Sequence, residues 1–337
     1  MPLDRDSHRI VIAGASSLLG AELKSLLEES RFAASEFRLL DEEFAAGTLT
    51  EAGGEAAVIQ PVEEGSFERA RLVFFTGSAG FTRANVKAAR KTGATLIDLS
   101  GALSEDPGTL VWFPGMDALH DAESQKPAHL YAVPSAAATA AGSLALGLAP
   151  HGLRRLTFTA FQPVSEAGRA AVEELESQTS HLLSFQSIGK PVFDTQVAFT
   201  MLDRFGSESS QKLSAVRDRV RAEIGAVLTG KGIAPAVQIL HAPVFYGSAF
   251  SACAELDAVA DQTAMIGACK RAGFALTPGD GPSNVSVAGE SLIQLAEPEA
   301  DPSQPGTWWF WGAADNIRLP AANAVKLAAK LADKVAS

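Results

Sequence analysis

The sequence predicts an α/β fold of two domains, a doubly wound parallel sheet followed by an α+β domain with a mostly antiparallel sheet. In the first third, short β-rich runs alternate with helical stretches. A glycine-containing turn follows the first of these runs. Beyond residue 150 the strand-like runs become longer and are no longer separated regularly by helices. A length of 337 residues suits two domains of ordinary size.

The elements of the first third follow one another as a parallel sheet requires. Leu23, Leu26 and Leu27 share one face and predict a helix over residues 20–29. A second helix is expected over residues 82–91. Short runs rich in Val, Ile, Leu and Phe predict buried strands at residues 9–13, 37–40, 72–75 and 95–99.

The turn after the first strand has the form expected of a dinucleotide-binding turn. Gly14 would permit the tight bend and Gly20 would let helix and strand pack closely, but the middle glycine is replaced by Ser17. The Ser17 hydroxyl is a candidate donor to a phosphate. The alternative is an inherited turn that only packs. The candidate cofactor-binding residues are Gly14, Ser16, Ser17, Leu18, Leu19, Gly20, Asp41 and Gly77.

Acidic residues follow the second predicted strand, at Asp41, Glu42 and Glu43. Carboxylates at this place suit a free ribose diol and repel a 2′-phosphate. If a dinucleotide binds, NAD is therefore expected in preference to NADP. The alternative interpretation of these residues is a solvated acidic loop.

The remainder of the chain has the pattern of an α+β domain. Strands are expected at residues 156–163, 237–256 and 308–311, and helices at 166–183, 209–228 and 263–272. An amphipathic helix over residues 321–334 is expected to return to the first domain. We therefore assign residues 1–133 and 318–337 to a Rossmann-like domain and residues 134–317 to a second domain.

Charge and composition exclude several classes of function. A formal net charge of −11 leaves no basic excess for nucleic acid or an anionic membrane. The apolar run at residues 10–13 is too short for a signal peptide, so a cytoplasmic location is expected. Cys253 and Cys269 make no disulfide framework, and the histidines have no metal-ligand spacing.

Seven segments, taken together, resemble the aspartate-semialdehyde dehydrogenase family over nearly the whole chain. The resemblance implies a Rossmann-like domain, a substrate and dimerisation domain, a homodimer and a place in amino-acid biosynthesis. It also implies NAD or NADP as cofactor. The segments are residues 14–20, 32–40, 96–102, 161–168, 193–199, 242–247 and 315–318.

The residues that carry the family's chemistry are replaced in this sequence. The family's cysteine thiolate corresponds to Ala136, and its histidine after a glycine corresponds to Ser248. Its phosphate-binding arginine corresponds to Ser104, and another arginine corresponds to His241. Gln162 is retained.

Three candidates remain at the site, Ser135, Gln162 and His241. Ser135 is either a substitute nucleophile or, more simply, the N-cap of the helix that follows. His241 either contacts an acidic ligand or is a hydrogen-bonded structural residue. The two cysteines are expected to be buried structural residues.

Three hypotheses follow. The first is a catalytically divergent relative, a pseudoenzyme for the family reaction, with a role in sensing a small anionic ligand, in partner binding or in another reaction. The second is an NAD(P)-dependent oxidoreductase that uses a non-cysteine mechanism, with His241 or Tyr246 as the polarising acid. The third is a non-catalytic partner that forms a hetero-oligomer with an active homologue.

Overall fold

A computed structural model describes residues 9–45, 47–52, 55–116, 129–257 and 261–336 of the protein. The chain forms two compact units. The first comprises residues 1–114, 121–134 and 320–337, and the second comprises residues 115–120 and 135–319. The expectations for the N-terminal residues before Arg9 and for His120 lie outside the described residues.

The first unit contains a seven-stranded parallel sheet with strand order β5-β2-β1-β6-β7-β9-β8. Between β2 and β5 in the chain, β3 and β4 form a short antiparallel hairpin that is not part of this sheet. The elements are β1 (Arg9–Ala13), α1 (Leu18–Glu28), β2 (Phe37–Asp41), β3 (Leu49–Ala52), β4 (Glu55–Val58), β5 (Gln60–Pro61), β6 (Ala70–Phe75), α2 (Ala79–Arg90), β7 (Thr95–Asp98), β8 (Leu110–Val111) and β9 (Leu130–Ala132).

Both faces of this sheet are apolar, as expected for a doubly wound fold with helices on each side. Ile10 and Ile12 point into a core that includes Leu327 of the last helix, α7 (Arg318–Ala336). Val11 points to the opposite face, where it packs in a core with Phe81 of α2. The predicted Rossmann-like architecture of this unit is confirmed.

The second unit contains a mixed sheet with strand order β11-β10-β12-β16-β14-β13. Most pairings are antiparallel, but β10 pairs in parallel with β11, and β13 with β14. The elements are α3 (Ala136–Leu148), β10 (Leu153–Gln162), α4 (Arg169–Leu183), α5 (Leu213–Leu228), β11 (Ala236–His241), β12 (Ser248–Leu256), α6 (Gln262–Arg271), β13 (Ala275–Leu276), β14 (Gln294–Leu295), β15 (Glu299–Ala300) and β16 (Thr307–Ala314).

Helix α3 is almost completely buried, with 12 of its 13 residues inaccessible, and it packs against α5 and α6. Its small residues permit that packing. A Cβ atom added to Gly142 would lie 2.6 Å from Val227 of α5, and one added to Gly147 would lie 2.7 Å from Ala272. The alanine- and glycine-rich composition therefore sets how closely these helices approach.

The second unit differs from the predictions at two places, the helix over residues 166–183 and residues 299–300. The helix expected over residues 166–183 is a 3-10 turn at Val164–Ala167 followed by α4, because Gly168 has φ +88° and interrupts the helix. The strands expected over residues 237–256 are β11 and β12. Residues 299–300, for which no strand is predicted, pair with β16. Among the described residues, no helix combines the length and apolar character needed to cross a membrane.

Candidate functional site

The glycine turn lies at the carboxyl end of β1, where open α/β sheets bind their ligands. Gly14 has φ +100°, and a Cβ atom there would lie 2.1 Å from the backbone nitrogen of Gly77. A Cβ atom at Gly20 would lie 2.3 Å from the carbonyl oxygen of Gly14. The first and last glycines are therefore required by backbone conformation and by close packing, as the sequence pattern predicts.

Ser17 occupies the middle position without backbone strain, at φ −65°, and caps α1 by accepting a hydrogen bond from the Gly20 amide. Its hydroxyl lies within hydrogen-bond distance of the carbonyl oxygens of Gly14 (2.8 Å) and Thr76 (2.9 Å). This differs from the expectation that the hydroxyl faces a phosphate, because the turn itself uses the hydroxyl hydrogen. Leu18 and Leu19 then provide the first helical amides, the donors a pyrophosphate requires.

Asp41 is buried at the end of β2 and binds the same turn. One of its carboxylate oxygens accepts the Ser16 amide at 2.7 Å, and the other accepts the Glu42 amide at 2.8 Å. The Ser78 hydroxyl, which caps α2, donates to the Glu42 carboxylate at 3.3 Å. Each Asp41 oxygen keeps a second lone pair for a ribose hydroxyl. This cradle fits a dinucleotide.

The second unit places Ala136, which the resemblance implies to be the position of the family's cysteine, at the first residue of α3, where it is 2% exposed. Ser135 is the N-cap and accepts a weak hydrogen bond from the Ala138 amide at 3.4 Å. The Ser135 hydroxyl donates to the Glu223 carboxylate at 2.5 Å, and the Ser135 amide donates to the same oxygen at 3.0 Å. Glu223 therefore holds the residue that precedes Ala136.

Charged residues continue from the buried Glu223 into a partly buried cluster. The guanidinium of Arg219 lies 3.8 Å from the Glu223 carboxylate and 3.4 Å from the Glu166 carboxylate. Burial raises the pKa of Glu166, Arg219 opposes the rise, and the Glu223 charge adds to it. A side-chain hydrogen bond from Asn316 also favours the ionised form of Glu166.

The cluster borders a small cavity of about 10 Å³, about the space that one water molecule needs. Its polar lining brings together Ser135, Gln162, Glu166, Arg219 and Ser248. Three of the sequence-derived candidates therefore meet at one place. The side chains of Gln162 and Ser248 form no hydrogen bond within the described part of the chain, so both remain available to a small polar molecule.

His241 does not line this cavity. It is 1% exposed, its Nε2 donates to the carbonyl oxygen of Val197 at 3.2 Å, and its ring packs against Phe193 and Phe205. Burial lowers the pKa of its imidazole. These contacts favour the structural interpretation over contact with an acidic ligand.

The two cysteines are also poorly suited to act as nucleophiles. Burial raises the pKa of the Cys269 thiol to about 12. Burial also raises the pKa of Cys253, and the nearby carboxylates of Glu255 and Asp301 raise it further. At neutral pH both residues are therefore thiols rather than thiolates.

Sequence reasoning missed Arg219 and Glu223. Glu223 follows Val220 by three residues and precedes Val227 by four, so it falls on the buried apolar face of α5. An ionisable residue at a core position is the signal that identifies it. The partner, Ser135, is 88 residues away in sequence and cannot be identified from local pattern.

The parallel sheet with its glycine turn, together with the mixed-sheet unit, defines a two-domain dehydrogenase fold. The chain belongs to the semialdehyde dehydrogenase family. Residues 9–140 match the family model described as semialdehyde dehydrogenase, NAD binding domain, and residues 146–319 match the one described as semialdehyde dehydrogenase, dimerisation domain.

Relatives align over almost the full length. A USG-1 protein homolog of Pseudomonas aeruginosa is 33% identical over 94% of this chain and 96% of its own. The structure of a probable aspartate-semialdehyde dehydrogenase from Pseudomonas aeruginosa has a TM-score of 0.85 and 30% identity, covering 96% of this chain and 98% of that one. Aspartate semialdehyde dehydrogenase II of Vibrio cholerae, complexed with ASA, shares the fold with a TM-score of 0.83 and 23% identity, covering 97% of this chain and 98% of that one.

Proposed function

We propose that this chain is a catalytically divergent member of the family, with a dinucleotide-binding fold but without the acyl-enzyme reaction of semialdehyde dehydrogenases. The supporting observation is Ala136 at the start of α3, beside a serine that Glu223 already engages. A thiolate is needed in such a reaction because it is nucleophilic at neutral pH and also leaves readily. Neither property belongs to alanine or to a capping serine.

The replacement of the family's histidine base by Ser248 also supports this proposal. Ser248 lines the cavity at the family histidine position and has no acid–base function near neutral pH. The loss of nucleophile and base together removes groups that act as a unit, so little residual rate is expected from either partner alone.

The test is an assay for phosphate-dependent reduction of NAD or NADP in the presence of aspartate semialdehyde. We expect no turnover by the wild-type chain. Single variants Ser135→Ala and Ser248→Ala are assayed alongside, with an active family enzyme as the positive control. Turnover that persists in both variants would show that the catalytic machinery lies elsewhere and that the proposal is wrong.

We further propose that a bound dinucleotide is held by the turn from Gly14 to Gly20 and by Asp41, with NAD preferred over NADP. Bound there, the nicotinamide would supply hydride chemistry. The buried Asp41 carboxylate and the neighbouring Glu42 would repel a 2′-phosphate. Calorimetric titration of both cofactors tests the preference. We expect NAD to bind about tenfold more tightly, the equivalent of about 1.4 kcal/mol, and tighter binding of NADP would contradict it.

The position of Glu166 at the cavity favours a second candidate function, that of an oxidoreductase that works without covalent catalysis. Such a reaction needs an acid that polarises a carbonyl. His241 is enclosed by aromatic rings, and Tyr246 is 42% exposed and not among the residues that line the cavity. Glu166 does line it, and burial raises its pKa, so it is the better acid. Phosphate-independent oxidation of NADH by an aldehyde, with Glu166 donating the proton to the alcohol product, would support this candidate if it is lost in Glu166→Gln.

We also propose that the chain forms a homodimer through its second unit, which matches the family's dimerisation domain. Apolar side chains lie exposed on one face of the mixed sheet. Trp309 is 44% and Trp311 is 42% exposed, and Trp311 contacts Phe161 on β10. Exposed apolar surface of this kind is typical of a protein interface. A hetero-oligomer with an active homologue is the alternative, and co-purification with such an enzyme would favour it.

A further inference from the structure

A single Asp-Gly pair occurs in the chain, and it lies in the connection between β13 and β14. Asp280 is followed by Gly281, and the sequence contains no Asn-Gly pair. Asp280 is exposed, and the glycines on either side of it, Gly279 and Gly281, have φ +85° and +73°. These left-handed conformations suit glycine. The aspartate therefore lies in a surface turn between two residues that have no side chain.

The two reactive groups of this pair have no other partner within the described part of the chain. The Asp280 carboxylate forms no ion pair or hydrogen bond there, and neither does the Gly281 amide. Because Gly281 has no Cβ atom, no side chain hinders the approach of its nitrogen to the side-chain carboxyl carbon of Asp280. The two groups belong to adjacent residues, so a reaction between them is intramolecular and favoured by proximity.

We propose that Asp280 is a site of spontaneous isomerisation to isoaspartate. The Gly281 amide nitrogen bonds to the protonated side-chain carboxyl carbon, and the amide proton leaves with the carboxyl hydroxyl as water. The five-membered succinimide then takes up water. Cleavage of the ring at the side-chain carbonyl restores aspartate, whereas cleavage at the main-chain carbonyl gives isoaspartate. One water leaves and one enters, so no oxidant or other reactant is needed. The reaction does not depend on a bound dinucleotide or on catalysis by this chain.

Isomerisation would also disturb the contacts of the two residues that follow. Isoaspartate lengthens the main chain by one methylene carbon immediately before Gly281. A Cβ atom added to Gly281 would lie 3.6 Å from Ala296 and 3.9 Å from the Trp311 ring, so Gly281 lies beside both residues. The carbonyl oxygen of Pro282 accepts a hydrogen bond from Trp311 Nε1 at 2.8 Å. We expect the inserted carbon to displace Pro282 and to weaken this hydrogen bond.

Incubation of the folded wild-type chain at neutral pH and physiological temperature tests the proposal. Isoaspartate is measured with an isoaspartyl carboxyl methyltransferase and radiolabelled S-adenosylmethionine. The enzyme methylates the α-carboxylate that isomerisation leaves free, and S-adenosylhomocysteine is released. Peptide mapping then locates the label. We expect label to accumulate with time at Asp280 and not at Asp203, which is also exposed but precedes Arg204.

Asp280→Glu is the matched control, because it keeps the charge but would have to close a less favourable six-membered ring. We expect the label at this position to be lost in Asp280→Glu. Asp280→Asn should accumulate isoaspartate faster than the wild type, because its uncharged amide is a better electrophile than an ionised carboxylate. Incubated wild type, but not incubated Asp280→Glu, should show a red shift of tryptophan emission as Trp311 loses its hydrogen bond.

A folded wild type that acquires no label at Asp280, or equal labelling of the wild type and Asp280→Glu, would overturn the proposal. Isoaspartate at Asp280 with unchanged tryptophan emission would contradict the effect on Trp311 while leaving the modification site in place.

Discussion

Ser17 stands where the dinucleotide-binding pattern implies a glycine, and Ala136 stands where the family resemblance implies a cysteine. The structure accommodates the two residues differently. Ser17 has a backbone conformation open to any residue, so the replacement costs no backbone strain, and its hydroxyl binds the turn internally. Ala136 sits beside a cap completed by Glu223. Ser17 leaves the cradle of the turn intact, whereas Ala136 lies next to the cluster of Ser135, Glu223 and Arg219.

Gly14 offers a direct test of the turn. Gly14→Ala places a Cβ atom 2.1 Å from the Gly77 backbone at φ +100°, and Gly93→Ala is the matched control because Gly93 has φ +76° with open space around it. We expect Gly93→Ala to cost about 1–2 kcal/mol of unfolding free energy through conformation alone. Gly14→Ala should lower the free energy of unfolding by more, because the backbone at Gly77 must also move to make room for the Cβ atom. Urea denaturation measures both, and equal losses would mean that the Gly14–Gly77 contact is unimportant.

Glu166 predicts a pH dependence of stability. Burial raises its pKa above the ordinary value of 4.5, so the folded state binds the proton more tightly than the unfolded state. The contribution of Glu166 to stability is therefore full below pH 4.5 and is lost as pH rises through the raised folded value. In Glu166→Gln this pH-dependent loss of stability should be absent, because glutamine does not ionise.

The measurement is urea unfolding of wild type and Glu166→Gln between pH 5 and pH 8. The free energy of unfolding of the variant, relative to that of the wild type, should increase with pH. This trend is expected whether or not loss of the ion pair with Arg219 lowers the stability of the variant. Glu176→Gln, an exposed change of the same charge on α4, is the control. A difference between wild type and Glu166→Gln that does not change with pH would refute the prediction.

Local patterns predict most elements, because period and composition determine which residues are buried. They predict β1 to its exact bounds and place α1, α2 and α7 within a few residues. They do not predict that β10 pairs in parallel with β11, since pairing depends on residues about 80 positions apart. The break in the helix at Gly168 was not predicted, because the presence of a glycine does not by itself show that its φ is positive.

The same limit applies to the candidate site. Sequence reasoning identified Gln162, Ser135 and Ser248, and the structure brings them to one cavity. It did not identify Glu223 as the partner of Ser135, because that contact depends on how α3 packs against α5.

Helix packing supplies a matched pair of glycine substitutions. Gly147→Ala would bring a Cβ atom 2.7 Å from the Cβ of Ala272, a group that cannot rotate away, whereas Gly225→Ala on α5 has nothing within 4 Å. We expect Gly225→Ala to stabilise by about 0.5–1 kcal/mol through helix propensity. Gly147→Ala should destabilise by about 1–3 kcal/mol through overpacking. Stabilisation of the protein by Gly147→Ala in denaturant unfolding would show that α3 does not pack this tightly.

Across the whole chain, the two units have different apolar surfaces. The parallel sheet of the first unit is apolar on both faces and buried on both. The mixed sheet buries Phe158 and Phe250, while Trp309 and Trp311 lie exposed on the other face. Two exposed tryptophans on one face of a sheet are typical of a surface that another protein covers.

The homodimer proposal can be tested on that face. Trp309→Ser/Trp311→Ser removes two large apolar side chains, and Leu49→Ser, which is 74% exposed on the β3–β4 hairpin of the first unit, is the control. Light scattering after size exclusion should give twice the 35.1 kDa chain mass for the wild type and for the control. The double variant should approach 35.1 kDa at micromolar concentration, because aromatic residues at an interface centre often contribute about 2 kcal/mol or more each. A folded double variant that remains dimeric would place the interface elsewhere, and a monomeric wild type would refute the homodimer itself.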